Sequence, residues 1–249
     1  LNFIFLSFFI ICSKGVSNEI EFEASDMEIK NKGNTIIAFE TDATIPSEQV
    51  NIKAKKSNYN KKTEIIIFID DVIFNDNLNN IIIKSNKVTY NRKKNIIFSE
   101  GKTFINIESD YDVVSKNVYY DRNNSRISSE EKTEIVDKDR NLYQLDEKFL
   151  LDINNEIISA KKSIITDKEN NKYIFEDLIV NLSTNEIAGK EIKVEFEKSY
   201  FGNEDNRPIL KGRSGHSDDD SLKVYKGVFS TCNIENKNCR GWELSSDEF

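Results

Sequence analysis

Six times along the chain, at intervals of about thirty residues, a polar turn rich in Asn, Asp and Lys separates an apolar or aromatic residue from an Ile-containing run. The clearest copies are Tyr59-Asn60 leading to Ile65-Ile66, Tyr90-Asn91 leading to Ile96-Ile97, and Tyr120-Asp121 leading to Ile127. Looser copies follow at Leu151-Asp152 to Ile157-Ile158 and Val180-Asn181 to Ile187, and an opening one lies at Ile29-Lys30 to Ile36. A period of this length means one supersecondary unit stacked repeatedly, each copy unable to bury its apolar face alone.

The runs flanking the turns carry the strand period. Glu191 to Glu197 and Glu19 to Ala24 alternate polar and apolar residues, as does the shorter Phe104 to Glu108. Each therefore places its apolar side chains on one face of a sheet. Ile65 to Ile69 and Ile81 to Ile83 are continuously apolar and β-branched, which suits strands covered on both faces. Asn and Asp in the intervening segments tolerate left-handed backbone and bond their own neighbours, so those segments read as hairpin turns. The expectation is an all-β fold, a repeat-built β-jelly roll or β-taco of about a dozen short antiparallel strands. Its sheets would face one another across an apolar interior.

That interior reads either as a packed core or as a trough for an apolar ligand. The inward members of the alternating strands are Ile105, Ile107, Ile192, Val194 and Phe196; Ile67 and Phe68 are added from a run whose parity is ambiguous. Tyr59, Tyr90 and Tyr120 read as packing residues beside the turns.

A net charge of -8 and a pI near 5.0 argue against nucleic acid, which requires a basic face. Leu1 to Ile11 is apolar except for Asn2 and Ser7, too short to span a bilayer and suited to a signal-peptide core, with cleavage expected after Ser17. A truncated membrane anchor is the competing reading, and both place the remainder outside the cytoplasm. With Cys12 in that leader, Cys232 and Cys239 remain. In an exported chain such a pair reads as disulfide chemistry, to each other or to partners elsewhere, since zinc would need two further ligands. No metal, cofactor or catalytic group is expected. His216 reads as a loop residue, Asp218-Asp219-Asp220 as a solvated acidic turn. Arg207, Lys211 and Arg213 suit either lipid phosphates or exposed linker charges.

After Phe201 the composition shifts to a Gly-spaced stretch that reads as a connector. Three regions are thus expected: a leader over 1–17, the repeat domain over 18–200, and a connector over 201–249. The connector holds Asn203, Arg207-Pro208, Lys211-Gly212-Arg213, Gly227, Phe229, Cys232, Cys239 and Trp242-Glu243. With the repeats, these residues resemble the OstA family of periplasmic lipopolysaccharide-transport proteins, and the closing stretch resembles the family's outer-membrane assembly members; Arg240-Gly241 stands where prolines are usual.

The resemblance implies a non-enzymatic domain at the periplasmic side of the outer membrane. It would receive lipopolysaccharide from an OstA-like bridge paired through edge strands, and pass it to an outer-membrane barrel and its lipoprotein plug. Cys232 and Cys239 would tether it to that barrel, and the chain would be a fragment of the longer polypeptide. A free-standing periplasmic bridge, or an adaptor anchored in the inner membrane, is the alternative within the same transport system. An adhesion module or a polysaccharide lyase is the reading from other classes, and the lyase would need a catalytic cluster of acids and bases that the sequence does not offer.

Overall fold

The computed structural model describes residues 19–108, 110–197, 208–217, 221–231 and 243–249. The strands are β1 (Glu21–Glu23), β2 (Asp26–Lys30), β3 (Thr35–Ile45), β4 (Val50–Asn60), β5 (Ile65–Asp76), β6 (Ile81–Asn91), β7 (Ile96–Ile107), β8 (Tyr111–Asp121) and β9 (Arg126–Ser129). They continue as β10 (Thr133–Asp137), β11 (Leu142–Leu145), β12 (Phe149–Asp152), β13 (Ile157–Thr166), β14 (Lys172–Asn181), β15 (Glu186–Glu195), β16 (Ile209–Ser217), β17 (Leu222–Ser230) and β18 (Glu243–Glu248). All are antiparallel and belong to one 18-stranded sheet. A single 3₁₀ turn, Pro46–Glu48, is the helical element among the described residues.

Strands adjacent in the chain are adjacent in the sheet, so the chain runs up and down as a meander. Three places in the meander are filled by strand pairs that share one neighbour: β1 and β2 lie along β3, β9 and β10 along β8, and β11 and β12 along β13. The stretch after residue 208 continues the same sheet, with β16 paired to β15 from Ile187↔Ser217 to Glu195↔Ile209. The sequence suggested short strands, yet β5 and β7 have 12 residues each. The difference comes from a bulge in the middle of the long strands, which breaks the alternation of the sequence without ending the strand.

The bulges also fold the sheet. Glu40, Asp70, Asp71, Asn117, Lys162, Glu191 and Lys226 have positive φ in mid-strand, as does Gly101 at +78°. The register shifts at Lys53/Lys56, Ile69/Val72, Ser85/Lys87 and Ser99/Lys102 mark the same crease across β4 to β8. At several of these points the inward parity switches. In β3 Ala38 is buried before Glu40, and Thr41, Ala43 and Ile45 after it. In β8 Val113 and Ser115 give way to Val118 and Tyr120 across Asn117. One extra residue turns the strand while keeping its apolar members inside. The sheet therefore closes on itself like a taco, with both halves of each long strand feeding one interior.

The interior is filled by Ile66, Phe68, Phe74, Ile83, Tyr90, Ile97, Tyr120 and Phe149 among others, each fully buried. Removing side chains of this size from water stabilises the fold by about 1.5–3 kcal/mol apiece. At the narrow crease the buried residues are small and hydroxylated, and they pair: Thr41 with Ser57 at 3.1 Å, Ser99 with Thr103 at 2.7 Å, Ser115 with Thr133 at 2.7 Å.

The turns are built as their composition implies. Asn60 Oδ1 accepts from the backbone N–H groups of Lys62 and Thr63, Asp121 Oδ1 from those of Asn123 and Asn124, and Asn181 Oδ1 from those of Ser183 and Thr184. Glu64, Asn95, Ser125, Glu156 and Asn185 then take the left-handed conformation that closes each turn. Successive turns stack through one backbone bond per repeat. Arg92 N–H donates to Glu64 O at 3.0 Å, Arg122 N–H to Asn95 O at 3.1 Å, Ile153 N–H to Ser125 O at 2.9 Å and Leu182 N–H to Glu156 O at 2.7 Å. These turns form one margin of the folded sheet. The turns between β3 and β4, β5 and β6, and β7 and β8 begin the other, where Asn77 N–H donates to Gln49 O and Glu108 N–H to Asn80 O, each at 3.0 Å.

Candidate functional site: the mouth of the folded sheet

The two margins face each other across the mouth of the taco, and the chain treats that mouth in two ways. Toward the N-terminal half it is latched. Tyr90 and Arg92, at the first margin, reach Glu48 at the second: Tyr90 Oη donates to Glu48, and Arg92 donates from Nε and Nη2 to Glu48 Oε1 at 3.0 and 2.8 Å. One repeat on, Tyr120 Oη donates to Asp76 Oδ2 at 2.7 Å, while Arg122 donates from Nε to Asp76 Oδ2 at 2.7 Å and from Nη2 to Oδ1 at 3.1 Å. Arg122 Nη2 also donates to Glu48 O at 2.8 Å, and Nη1 to Tyr90 Oη at 3.3 Å, which joins the two latches into one network.

The Arg122–Asp76 half of this network is buried. The side chain of Arg122 is 4% exposed and that of Asp76 0%. Burial alone raises the Asp76 pKa, but hydrogen bonds from Arg122, Asn79 and Tyr120 outweigh it and hold the carboxyl below its ordinary value. Arg122 is pushed further up: burial opposes its charge, and Asp76 more than restores it. Burial and then Glu48 raise the Tyr90 phenol; burial and then Asp76 raise that of Tyr120. All four groups are held in the protonation states that keep the latch together.

From the fifth repeat onward the same positions carry no polar side chain. Where Tyr90 and Tyr120 stand, the chain has Leu151 and Val180; where Arg92 and Arg122 stand, it has Ile153 and Leu182. On the facing margin the acids turn inward on their own loops. Asp137 accepts from Asn141 N–H at 2.8 Å, Asn141 Nδ2 at 2.9 Å and Tyr143 Oη at 3.0 Å. Asp167 repeats the motif with Asn171 and Tyr173, at 2.8, 2.9 and 3.2 Å. No Tyr-x-Arg pair reaches across the mouth there.

In place of latches there are cavities. One of about 170 Å³ lies between Ile107, Tyr111, Leu151, Ile153 and Leu182. A second of about 280 Å³ shares Tyr111 and Leu182 with the first and continues to Tyr143, Val180 and Ile187. A third of about 300 Å³ shares Tyr143 and Ile187 with the second and reaches Ile165, Phe175 and Ile192. Shared lining residues set these side by side as a trench along the C-terminal half of the stack, with Leu151, Ile153, Val180 and Leu182 on one side and polar loop residues such as Glu108, Asp110, Asp139 and Glu169 on the other. Such a trench accepts apolar chains along its apolar side while polar groups stay at the rim formed by those loops. A separate depression of about 700 Å³ lies on the outer face over Ser159, Ile179 and Ala188, where Ile179 is 52% exposed.

Of the residues proposed from sequence as trough candidates, Ile107 and Ile192 line the trench. Phe68, Ile105 and Val194 point into the interior as fully buried packing residues. Phe196 is partly buried against it, its ring centroid 6.4 Å from that of Phe229. Ile67 lies outside: Ile66 and Phe68 take the inward positions of β5, and a residue between them must face the other way.

Pro208 is buried, Lys211 half-buried and Arg213 exposed. Gly212 and Gly227 sit where the sheet leaves no room, since a Cβ on Gly212 would lie 2.1 Å from Val224 Cγ1 and one on Gly227 2.6 Å from Phe249 Cδ2. His216, read as a loop residue, lies in β16 beside the third cavity. The leader over 1–17, Asn203, Arg207, Asp218-Asp219-Asp220, Cys232, Cys239 and Trp242 lie outside the described residues.

The latches and the change of lip were not read from the sequence. The signal was present in the repeats as Tyr-x-Arg at Tyr90 and Tyr120 against Leu-x-Ile at Leu151 and Val-x-Leu at Val180.

Among solved structures the chain is similar to that of LptH, described as the LptA homologous periplasmic component of the conserved lipopolysaccharide transport device from Pseudomonas aeruginosa. The identity is 17%, the match covers 47% of this chain and 86% of that one, and the TM-score is 0.42. No family model matches the chain, and neither does any curated protein.

Proposed function

We propose that the chain is a carrier for the acyl chains of a lipid, with lipopolysaccharide as the ligand that its OstA-like repeats imply. The observation that carries this reading is the replacement of Tyr-x-Arg latches by apolar lips over a trench of linked cavities. A domain built only for packing has no use for that change, because the latched repeats already close the sheet. Each methylene sheltered from water in the trench stabilises the bound lipid by about 0.8 kcal/mol, so several acyl chains supply a large driving force without any chemistry. The open rim leaves sugars in water.

Within that reading the chain acts as the periplasmic part of an LptD-like outer-membrane assembly protein. Pro208, Gly212 and Gly227 belong to the closing motif that supports it, and Cys232 and Cys239 would tether the domain to a barrel at the outer membrane with its lipoprotein plug. A free-standing bridge of the same transport system is the second reading. It is favoured by β2 at the edge of the sheet, where Met27 and Ile29 pair opposite the inward Ala38 and Ile36 yet remain exposed, so that no described residue caps the stack at that end.

Photo-crosslinking tests lipid carriage. A photoreactive residue at Ile107 or Ile192 is expected to trap lipopolysaccharide, and one at the neighbouring outward positions Asn106 or Lys193 is not. Equal labelling of both faces, or none on a folded chain, removes the trench as a lipid site.

A further inference from the structure

We infer that the mouth selects lipids whose head is uncharged or bears amino groups, and discriminates against heads carrying phosphate monoesters. The inference rests on the lipid-carriage reading and concerns the head alone. Glu108, Asp110 and Glu156 stand around the first cavity, and Asp139 and Glu169 around the second. Beside them, on the margin that carries all of these acids but Glu156, are Lys138 and Lys168, and Lys168 is already engaged by Glu169 at 3.7 Å. The chain has 35 Lys and Arg residues, yet these two are the ones that line the trench among the described residues. Arg92 and Arg122, which would suit phosphate in a forked geometry, are sequestered in the latches with Glu48 and Asp76.

The phenol of Tyr111, which lines both of the first two cavities, reports the same field. Burial first, and then Asp137, Asp110, Glu156 and Asp139, push its pKa up to about 12. A head bearing two or more negative charges seated at this rim meets like charge within a Debye length on both margins. An amine there meets complementary charge, and a neutral sugar meets hydrogen-bonding groups at no electrostatic cost. Specificity of this kind arises from repulsion of the wrong head rather than from extra attraction for the right one.

The full chain in low-salt buffer containing EDTA is loaded with a fluorescent, uncharged monoacylglycerol. Displacement is then measured with three multi-acyl glucosamine disaccharides: bis-phosphorylated, phosphate-free, and with amino sugars capping the phosphates. The phosphate-free and amine-capped forms are expected to displace the probe at concentrations at least about tenfold lower than the bis-phosphorylated form. Neutralising the rim through Asp110→Asn, Asp139→Asn and Glu169→Gln together is expected to narrow that gap to about threefold or less, with affinity for the uncharged probe unchanged. Equal displacement by all three lipids overturns the inference, as does a gap that survives neutralisation. If the uncharged probe itself does not bind, lipid carriage fails and the head selection falls with it.

Discussion

Tyr120 Oη and Asp76 Oδ2 are hydrogen-bonded at 2.7 Å across 44 residues of chain, although they occupy opposite margins of the sheet. With a rise of about 3.3 Å per residue, the margins of a flat sheet of such strands would lie about 35 Å apart. This contact is therefore a direct marker of the folded state of the sheet. Arg122 shares the same carboxylate, and removing it leaves a buried, unpaired charge. Arg122→Met is expected to destabilise the chain by about 3–5 kcal/mol in urea denaturation. The double variant Arg122→Met with Asp76→Leu, which removes both charges, is expected to recover most of that loss. If the single variant is as stable as the parent, the latch does not hold the sheet closed.

The Asp76 carboxyl gives the latch a pH dependence whose sign is fixed. Its pKa in the folded chain lies below the ordinary value, because Arg122, Asn79 and Tyr120 together outweigh the opposing effect of burial. A folded pKa below the unfolded one means that the unfolded chain binds the proton first. The resulting stability is present at neutral pH, persists above the unfolded value of about 3.9, and is lost as pH falls through the folded pKa. Urea midpoints are expected to drop between about pH 5 and pH 2, and the drop is expected to be shallower in Asp76→Asn, whose starting stability is lower. An identical acid profile in both proteins would show that Asp76 does not set it.

The repeat, the strand period and the Asn/Asp turns were legible because each is a local property: a side chain at alternating positions, or a carboxamide bonding the backbone two residues ahead. The fold class follows from them. The bulges were not legible, because Glu40 and Lys162 look like ordinary polar strand residues and their positive φ is imposed by the crease. They hid the true strand lengths and left Ile67 and Phe68 with no assigned face. Ile107 and Ile192 could be read as inward but not as trench residues. That distinction depends on whether a residue more than one repeat away, such as Glu48 for Arg92, crosses the mouth.

One buried side-chain atom among those described has no hydrogen-bond partner, Ser163 Oγ at the crease. Buried hydroxyls at the crease in other strands pair across the corner, as Ser115 does with Thr133 at 2.7 Å. An unsatisfied hydroxyl costs about 1–3 kcal/mol. Ser163→Ala is therefore expected to stabilise the chain by about 1 kcal/mol, while Thr133→Val, which orphans Ser115, is expected to destabilise it by about as much. Thermal or urea unfolding of the two variants measures both, and a loss of stability in Ser163→Ala would mean that the hydroxyl is satisfied.

The contrast between latched and open repeats can be tested by carrying the latch into the trench. Leu151 and Ile153 occupy the positions of Tyr120 and Arg122 one repeat on, and Ile153 lines the first cavity with Glu108 and Asp110 facing it. In Leu151→Tyr with Ile153→Arg, the guanidinium meets those carboxylates across the mouth and the new phenol fills space beneath it. The cavity at Ile107 closes. Lipid trapping by a photoreactive residue at Ile107 is expected to fall at least about tenfold, equivalent to about 1.4 kcal/mol of lost binding. Trapping at Ile192, in the third cavity, is expected to fall less, because its own lip is formed by Ile187 and Leu222. Lys193→Arg, on the outward side of β15, should leave both sites unchanged. Undiminished trapping at Ile107 in the relatched chain would mean that lipid does not pass that lip.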